Sequence, residues 1–416
     1  MIKFNKDVMQ ALHALEEKKI ECYAVGDCVR WALAGTRTYD WDLVAFCTPE
    51  QLKETFPEGE VLSKSQDVIR LDYSVENEEE GSIIDIRSVD SNLEKLLEKR
   101  GFTIDAVADN PERNLVDPFN GREDIKKKLV RTIGPANELF KKDPIKMLTA
   151  VRFVAEMDFD LHKEVFQAIS ENSRALVNYN ISEIRAEMDR LLVGISAGKA
   201  LSIMAESGLM ASVFGEDVAK RMNHTEMKDF SMLCDNIDKT HQVRLRRWGL
   251  LFTVLGKRKA LKAVERMSFD EKTDKYMTDA VKQMHAINFL GDPTAFKKFL
   301  YTYGEEEYHF LHNLSKAQRI IYDQPSHKIE GRNYLYDTIK TNREPVFPDD
   351  LVIDENDLIQ AGIVETVERA REVLGYTTAI VHMKPKRNTR EDLMKAARKF
   401  SKSKFAVKTR YVSWMR

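Results

Sequence analysis

The sequence predicts an α+β protein in which a small mixed sheet at the N-terminus is followed by domains built from helices. Two observations lead to this prediction. In residues 1–137, short apolar runs of strand length follow an initial helical pattern. From about residue 138, apolar residues recur almost throughout at three- and four-residue spacing, which is typical of helices. The 416 residues are enough for two to four domains.

The first helix is predicted because Val8, Leu12 and Leu15 share one helical face. Strands with helices packed on them are then expected at residues 20–25, 41–46, 68–73 and 82–86. An acidic turn at residues 76–81 separates the last two strands and predicts a hairpin.

Helical patterns dominate the rest of the chain. They cover residues 145–157, 163–169, 181–193, 200–210, 244–255, 276–289 and 295–311. Glycine and proline interrupt them at residues 215–216, 291–293 and 343–348. These breaks suggest four domains, which we name the head (1–137), the neck (138–213), the body (214–342) and the tail (343–416).

Composition excludes some classes of protein and indicates one class of partner. No apolar run reaches the roughly 20 residues needed to span a bilayer. The first residues lack the apolar region of a signal peptide, so we expect a cytoplasmic protein with no membrane partner. The net charge is only −2, but the C-terminus is strongly basic, with aromatic residues such as Phe400, Phe405, Tyr411 and Trp414 interleaved. That combination suits an RNA-binding surface, and a solvated tail is the alternative. The cations that we single out are Lys384, Lys386, Arg387, Lys395, Arg398 and Lys399.

Residues 24–43 are the most informative segment, because they join a strand, a glycine turn, a short helix and a second strand. Gly26 permits a tight turn and close approach of a triphosphate to the backbone. A helix opening near Val29 would direct free N–H groups at an anion, and Arg30 could add a cation. Asp40 and Asp42 lie two apart on a strand, so both project to one face and can share Mg²⁺ ions. Two such ions assist in-line displacement at phosphorus.

Asp85 stands in an apolar strand, where burying a carboxylate is costly unless something pairs with it. We expect a metal ion shared with Asp40 and Asp42 to be its partner. An ion pair with Arg70 or Arg87 is the alternative.

Residues 26–42 resemble the head of the class II tRNA nucleotidyltransferase and bacterial poly(A) polymerase family, whose pattern is Gly-Gly-x-Val-Arg-Asp, Leu-x-Gly-Arg and Asp-x-Asp. Residues 96–106 are similar to the family's Arg-Arg-Asp-Phe-Thr-Ile-Asn-Ala. Residues 115–125 resemble its Asp-Pro-x-Gly-Gly turn, and residues 140–153 and 181–187 resemble its next two motifs. These segments occur in the family's order. In the body, Thr253 and Val254 stand where some relatives carry a His-Asp pair, so no hydrolase activity is expected there.

The resemblance implies a Mg²⁺-dependent, template-independent transfer of CMP or AMP from CTP or ATP to an RNA 3′ end, with release of pyrophosphate. It implies catalytic roles for Asp40, Asp42 and Asp85, the first two as metal ligands. It assigns nucleotide binding to Gly26, Arg30, Arg100, Asp105, Asp143 and Lys146. We expect Asp143 and Lys146, three residues apart, to share one face of the neck helix and read the base. It also implies that the basic tail grips tRNA.

Several motif residues depart from the family pattern. Asp27 replaces a glycine that faces the triphosphate, where a carboxylate would repel it. Gly101 replaces an aspartate, and Lys142 replaces a glutamate. Lys146 replaces an arginine and lacks its bidentate fork. Three hypotheses therefore stay open: a CCA- or CC-adding enzyme, a poly(A) polymerase, or an RNA-binding paralogue with impaired catalysis.

Overall fold

The computed structural model describes residues 2–65, 67–74, 81–219, 222–288, 290–325 and 327–402. The chain forms two compact units. The N-terminal unit comprises Met1–Met227 with Arg266–Ser268, and the C-terminal unit comprises Lys228–Glu265 with Phe269–Arg416. Within the described part, no helix is both long and apolar enough to cross a membrane. The predicted α+β class, with a sheet-containing head followed by helical domains, is confirmed.

The head is built on a six-stranded mixed sheet in the order β3-β4-β5-β2-β1-β6. The central strands β2 and β5 run parallel, and the other neighbouring pairs run antiparallel. A separate parallel pair joins β7 and β8. The strands are β1 (Cys22–Val25), β2 (Asp40–Ala45), β3 (Glu60–Val61), β4 (Val68–Asp72), β5 (Ile83–Ser88), β6 (Ala108–Asp109), β7 (Leu129–Val130) and β8 (Asp160–Leu161).

The helices of the N-terminal unit are α1 (Lys6–Glu17), α2 (Asp27–Leu33), α3 (Pro49–Thr55), α4 (Leu93–Glu98), α5 (Gly121–Lys126), α6 (Ala136–Lys142), α7 (Lys146–Met157), α8 (Lys163–Asn172), α9 (Ile181–Leu192), α10 (Ala197–Glu206), α11 (Leu209–Phe214) and α12 (Glu216–Ala219). The remaining helices lie wholly or mostly in the C-terminal unit. They are α13 (His224–Asn236), α14 (Arg244–Val254), α15 (Lys257–Met267), α16 (Glu271–Asn288), α17 (Pro293–Tyr303), α18 (Glu305–Ile321), α19 (His327–Thr341), α20 (Glu355–Gln360), α21 (Val367–Met383) and α22 (Arg390–Ser401).

The two faces of the head sheet are buried to different extents. On one face, Trp41 and Leu43 of β2 pack with side chains of α1, α2 and α3 in a continuous apolar core. On the opposite face, Tyr23, Val25 and Val44 pack with Leu97 of α4 in a smaller cluster. Side chains alternate between faces along a strand, so the smaller cluster leaves the start of β2 open on the face of Val44.

The strongest sequence patterns correspond to observed elements. The predicted first helix is α1, in which Val8, Leu12 and Leu15 are fully buried and Asn5 caps the N-terminus by accepting a hydrogen bond from Val8 N. The four predicted strands correspond to β1, β2, β4 and β5, and the hairpin pairing of β4 with β5 is confirmed. Of its predicted turn, residues 76–80 lie outside the described residues.

Two segments that were predicted as single helices are each divided into two helices. The pattern at residues 295–311 is divided between α17 and α18 at Gly304, whose φ is +85°. The pattern at residues 200–210 is divided between α10 and α11 at Gly208, whose φ is +81°. A positive φ ends a right-handed helix, and glycine adopts it without steric cost.

The tail has its own apolar core. It is formed by α20, α21 and α22 and includes Leu358, Leu374, Leu393, Ala397 and Phe400. The predicted head and neck fall in the N-terminal unit, and most of the predicted body and tail falls in the C-terminal unit. The four-domain division remains our proposal.

Candidate active site

Strand β2 presents two carboxylates on the open face of the head sheet. Trp41 is only 2% exposed and packs against Phe4, with ring centroids 5.2 Å apart. Its neighbours Asp40 and Asp42 are exposed, as the two-residue period of a strand requires. Asp42 lies opposite Asp85 in the parallel register of β2 with β5. The sequence prediction that Asp40 and Asp42 share a face therefore agrees with this geometry.

A cavity of about 510 Å³ adjoins this face, a volume within the usual range for small-molecule sites. Both signs of charge line it. Its cationic residues are Arg87, Lys99, Arg100 and Lys146, its acidic residues are Asp42, Asp85 and Asp105, and its apolar residues are Val25, Leu43, Val44, Val68 and Leu96. The sequence did not predict Arg87 or Lys99 as nucleotide-binding residues, although Arg87 was a candidate partner of Asp85 and Lys99 lies in the recognised motif beside Arg100.

Asp85 pairs with Arg70. The guanidinium donates from Nε and Nη2 to the two carboxylate oxygens, at 2.7 and 2.8 Å. Arg70 lies directly opposite Asp85 in the antiparallel register of β4 with β5, so the contact follows from strand pairing. The expected metal partner of Asp85 is thus replaced by the alternative partner, because a bidentate arginine already neutralises this carboxylate.

Asp40 and Asp42 differ from the other aspartates at this end of the sheet. Neither forms a side-chain ion pair with any residue that the structure describes. Partial removal from water raises the pKa of Asp42 to about 6, against the opposing effect of Arg100. Partial removal from water and the nearby Asp85 carboxylate also raise the pKa of Asp40. The two side chains form a negatively charged site at this end of the sheet.

Two carboxylates on one open face fit the requirements of Mg²⁺, which commonly takes one or two protein carboxylates and completes its octahedron with water and substrate phosphates. Across the described residues, no cluster of three or more histidine, cysteine, aspartate or glutamate side chains could hold a metal ion. The two carboxylates fit an ion whose remaining ligands are water and substrate oxygens.

The turn between β1 and α2 requires glycine for two reasons. Gly26 has a φ of +79°, and a Cβ at this position would overlap Nη1 of Arg100. Arg100 lines the cavity, and its Nη1 lies 3.8 Å from Asp105 Oδ2. The missing side chain of Gly26 thus makes room for a cation beside the cavity. Gly26, Arg100 and Asp105 are close together, as the predicted nucleotide site requires.

Arg30 occupies a different position from the one that the sequence suggested. Its side chain is fully buried, stacks on Phe153 with 4.3 Å from Cζ to the ring centroid, and does not line the cavity. Its guanidinium donates to Asp105 and to Asp27, the latter at 2.7 Å. The expected contact between Arg30 and the triphosphate is not supported, because carboxylates of the chain already surround this cation.

Asp27 belongs to a network of charged residues that sequence reasoning missed. Its second oxygen accepts from Nη2 of Arg190 at 2.6 Å, and Nε of Arg190 donates to Glu156 at 2.8 Å. Arg152 donates to Glu156 at 2.7 Å and to Glu187 at 2.8 Å. The i, i+4 spacing of Arg152 and Glu156 was a usable signal. Nothing local connects Asp27 with Arg190, 163 residues further along the chain.

The predicted base-reading pair does not share one helix. Asp143 ends α6 with a φ of −139°, and α7 begins at Lys146. Pro144 explains the break, because the residue before a proline is disfavoured in the helical conformation. Lys146 lines the cavity, whereas Asp143 lies near Tyr179, whose hydroxyl is 3.5 Å from Oδ1. The expectation of a shared helical face was wrong.

The six tail cations are all exposed. Lys384, Lys386 and Arg387 follow α21, and Lys395, Arg398 and Lys399 lie on α22. Phe400 was expected among the base-stacking residues, but it is 4% exposed and stacks on Tyr376 at 4.2 Å. It is a core residue because its helix packs on α21. Phe405, Tyr411 and Trp414 lie outside the described residues.

Comparison with known proteins finds CCA-adding enzymes among the relatives of this chain. A family model described as the probable RNA and SrmB-binding site of polymerase A matches residues 158–220. The CCA-adding enzyme of Geobacillus stearothermophilus is 33% identical over 221 residues, covering 50% of this chain and 55% of that protein. The CCA-adding enzyme of Lactobacillus helveticus (strain DPC 4571) is 27% identical over 91% of this chain and 93% of that protein. The chain is thus similar in sequence to CCA-adding enzymes, over half of its length at 33% identity and over most of it at 27% identity.

Solved structures of CCA-adding enzymes share the fold over nearly the whole chain. The Bacillus stearothermophilus CCA-adding enzyme in complex with CTP has a TM-score of 0.75 at 24% identity and covers 95% of this chain and 98% of that one. The Thermotoga maritima CCA-adding enzyme complexed with tRNA has a TM-score of 0.61 at 21% identity, with 95% of each chain covered. In sequence, the chain spans about half the length of the first curated relatives that it matches.

Proposed function

We propose that this protein is a member of the class II CCA-adding enzyme and poly(A) polymerase family, and that it is a Mg²⁺-dependent nucleotidyltransferase. It would add CMP or AMP from CTP or ATP to the 3′ end of a tRNA and release pyrophosphate. The observation that carries this proposal is a pair of carboxylates, Asp40 and Asp42, that form no ion pair with any described residue. Both lie on the open sheet face, and Asp42 lines a cavity that cations also line. CCA-adding enzymes among the relatives and structural neighbours, some of them complexed with CTP, ATP or tRNA, support the choice of substrates.

Different residues in and beside the cavity would bind the metal and the phosphates. Asp40 and Asp42 would hold the metal, which when bound neutralises triphosphate charge and favours ionisation of the attacking hydroxyl. Arg100, beside the Gly26 turn, and Lys99 would bind phosphate oxygens. The RNA 3′-oxygen then forms a bond to the α-phosphorus as the bond to the bridging oxygen breaks and pyrophosphate leaves. Positioning and charge supply most of the catalysis in such transfers.

Base recognition is assigned to the junction of α6 and α7. Lys146 faces the cavity and can donate to ring acceptors of a base, and Asp105 can accept from a sugar hydroxyl or an exocyclic amine. Asp143, which lies near Tyr179 outside the cavity lining, would need to approach the base from the neighbouring turn. An ammonium at position 146 lacks a planar fork, so we expect weaker discrimination between C and A than an arginine provides.

The experiment is incubation of the purified full chain with Mg²⁺, a tRNA lacking its 3′ CCA and each labelled NTP in turn. We expect extension with CTP, with ATP or with both in succession, and none with the Asp40→Asn or Asp42→Asn variants. Extension by many A residues on unrelated RNA would identify a poly(A) polymerase.

A second function is favoured by Asp27, whose carboxylate lies beside the proposed triphosphate site. Such a charge is unfavourable for nucleotide binding and suits an RNA-binding paralogue with impaired catalysis. Binding of tRNA without extension by any NTP would establish that alternative and overturn the proposed transfer reaction.

RNA binding by the tail is proposed from its exposed cations. Truncation before Lys384 is a poor test, because it removes Leu393, Ala397 and Phe400 from the tail core. Charge removal on α22 is better: Lys395→Ser, Arg398→Ser and Lys399→Ser together should weaken tRNA binding. They should also reduce the slope of log K against log salt by up to about 2–3, since each lost phosphate contact removes nearly one released counterion.

The matched control removes three exposed cations from the N-terminal unit, Lys6, Lys18 and Lys19. It changes the net charge equally, so it separates local contacts from the overall charge of the protein. Equal slopes for the two triple variants would mean that α22 does not contact RNA.

A further inference from the structure

Asp27 lies next to the proposed metal carboxylates. It directly follows the Gly26 turn and begins α2. Cys28, the next residue, has its Sγ 3.8 Å from the backbone oxygen of Asp42. Gly26, on the other side of Asp27, lies against Arg100, which lines the cavity. A triphosphate bound at these two carboxylates would therefore be within electrostatic range of Asp27.

Two arginines neutralise Asp27, and they differ in their freedom to move. Arg30 is fully buried, stacks on Phe153 and also donates to Asp105, so it is held on several sides. The Arg190 side chain is 46% exposed and makes two contacts, one with Asp27 and one with Glu156. Arg190 is therefore the partner of Asp27 that can leave.

Arg190 is held beside the Gly26 turn, because its Nη2 donates to Asp27 at 2.6 Å and Asp27 directly follows that glycine. Its guanidinium is a fork of donors that matches phosphate as well as carboxylate. With Asp27 as its partner, one nitrogen of that fork is occupied at 2.6 Å. A phosphate oxygen would offer the same nitrogen a more highly charged acceptor.

We propose that Arg190 is a triphosphate-binding residue which Asp27 holds in the absence of nucleotide, and that the triphosphate displaces the Asp27 carboxylate from it. This inference rests on the proposed function and adds a residue of α9 to the nucleotide site. It also explains how Asp27 can stand where a glycine is typical of the family: its charge is screened by Arg30 when Arg190 turns to the phosphates.

The test measures binding of tripolyphosphate with Mg²⁺ to the full chain by titration calorimetry, since this probe carries the phosphates without the base. Asp27→Asn removes the carboxylate that competes with phosphate oxygens for Arg190, so it should tighten binding on the order of tenfold. Arg190→Gln should weaken binding by a similar factor. The double variant should bind like Arg190→Gln alone, because the gain from Asp27→Asn acts through Arg190. Arg190→Lys should recover part of the affinity.

Glu187→Gln is the matched control, since it removes a carboxylate that contacts Arg152 in the same network. A purely structural role for the network predicts that Asp27→Asn, Arg190→Gln and Glu187→Gln all lower the unfolding temperature and that none tightens binding. That result would overturn the proposed displacement of Asp27 from Arg190 by the triphosphate. The proposed function would stand if the wild type still bound CTP and transferred nucleotides. Absence of both tripolyphosphate and CTP binding in the wild type would overturn the proposed function and the exchange together.

Discussion

Replacing Arg30 by Met should destabilise the N-terminal unit without removing a phosphate contact. Breaking a fully buried ion pair costs about 3–5 kcal/mol, because the remaining charges stay buried. After the loss of Arg30, both carboxylates would still have a cationic partner. Asp27 lies 2.6 Å from Arg190, and Asp105 lies 3.8 Å from Arg100. We therefore expect the lower end, about 3 kcal/mol, which corresponds to about 6–12 °C in Tm for a unit of this size.

Scanning calorimetry of the full chain measures this loss, and titration with CTP below the transition measures nucleotide binding. The matched variant is Arg100→Met, whose side chain is 25% exposed and lines the cavity. It should change stability by less than about 1 kcal/mol but weaken CTP binding about tenfold or more. Loss of CTP binding by Arg30→Met with unchanged stability would instead mean that Arg30 binds the nucleotide and does not stabilise the unit.

The remaining predictions concern catalysis, the tail and pH. Asp42→Asn should abolish extension of tRNA, whereas Asp85→Asn should leave measurable extension, because the partner of Asp85 is an arginine and not the metal. Extension by Asp42→Asn together with no extension by Asp85→Asn would contradict this. Phe400→Ala should cost about 3–5 kcal/mol in the free energy of unfolding of the tail by calorimetry, and reduced RNA affinity with unchanged stability would instead indicate base stacking. The C-terminal unit should lose stability as pH falls from about 6.5 towards 4. Burial lowers the pKa of His312 and His382 to about 4, so the unfolded chain takes up these protons first; equal stability by calorimetry at pH 7 and pH 5 would count against this.

Features with a short sequence period were predictable. The alternation Asp40-Trp41-Asp42 placed two carboxylates on one face and the indole on the other, as the structure has them. The 3-4 spacing of α1 identified its buried face. These predictions needed only the local backbone geometry of strands and helices.

Partners of buried charges were not predictable in the same way. Arg30 and Arg100 both flank the glycine turn in the recognised motifs, and nothing local distinguishes their roles. Phe153 of α7 and Glu156 of the same helix cover Arg30, so tertiary packing decides that Arg30 is structural and that Arg100 faces the cavity. The same holds for Arg190, which reaches Asp27 from α9.

Some errors were avoidable from the sequence. Pro144 separates Asp143 from Lys146 and disfavours the helix that was expected to join them. Gly208 and Gly304 likewise stand at the points where predicted helices divide. In each case the spacing of apolar residues predicted a continuous helix, although a proline or a glycine within it indicated a break.

The most direct test of the account is metal binding at Asp40 and Asp42. Electron paramagnetic resonance can detect Mn²⁺, used in place of Mg²⁺, together with a CTP analogue that cannot be cleaved between its α- and β-phosphates. We predict that protein-bound Mn²⁺ appears in the wild type and in Asp85→Asn when the analogue is present, and is lost in the Asp40→Asn/Asp42→Asn double variant. Identical Mn²⁺ binding in the wild type and the double variant would contradict the two-carboxylate site.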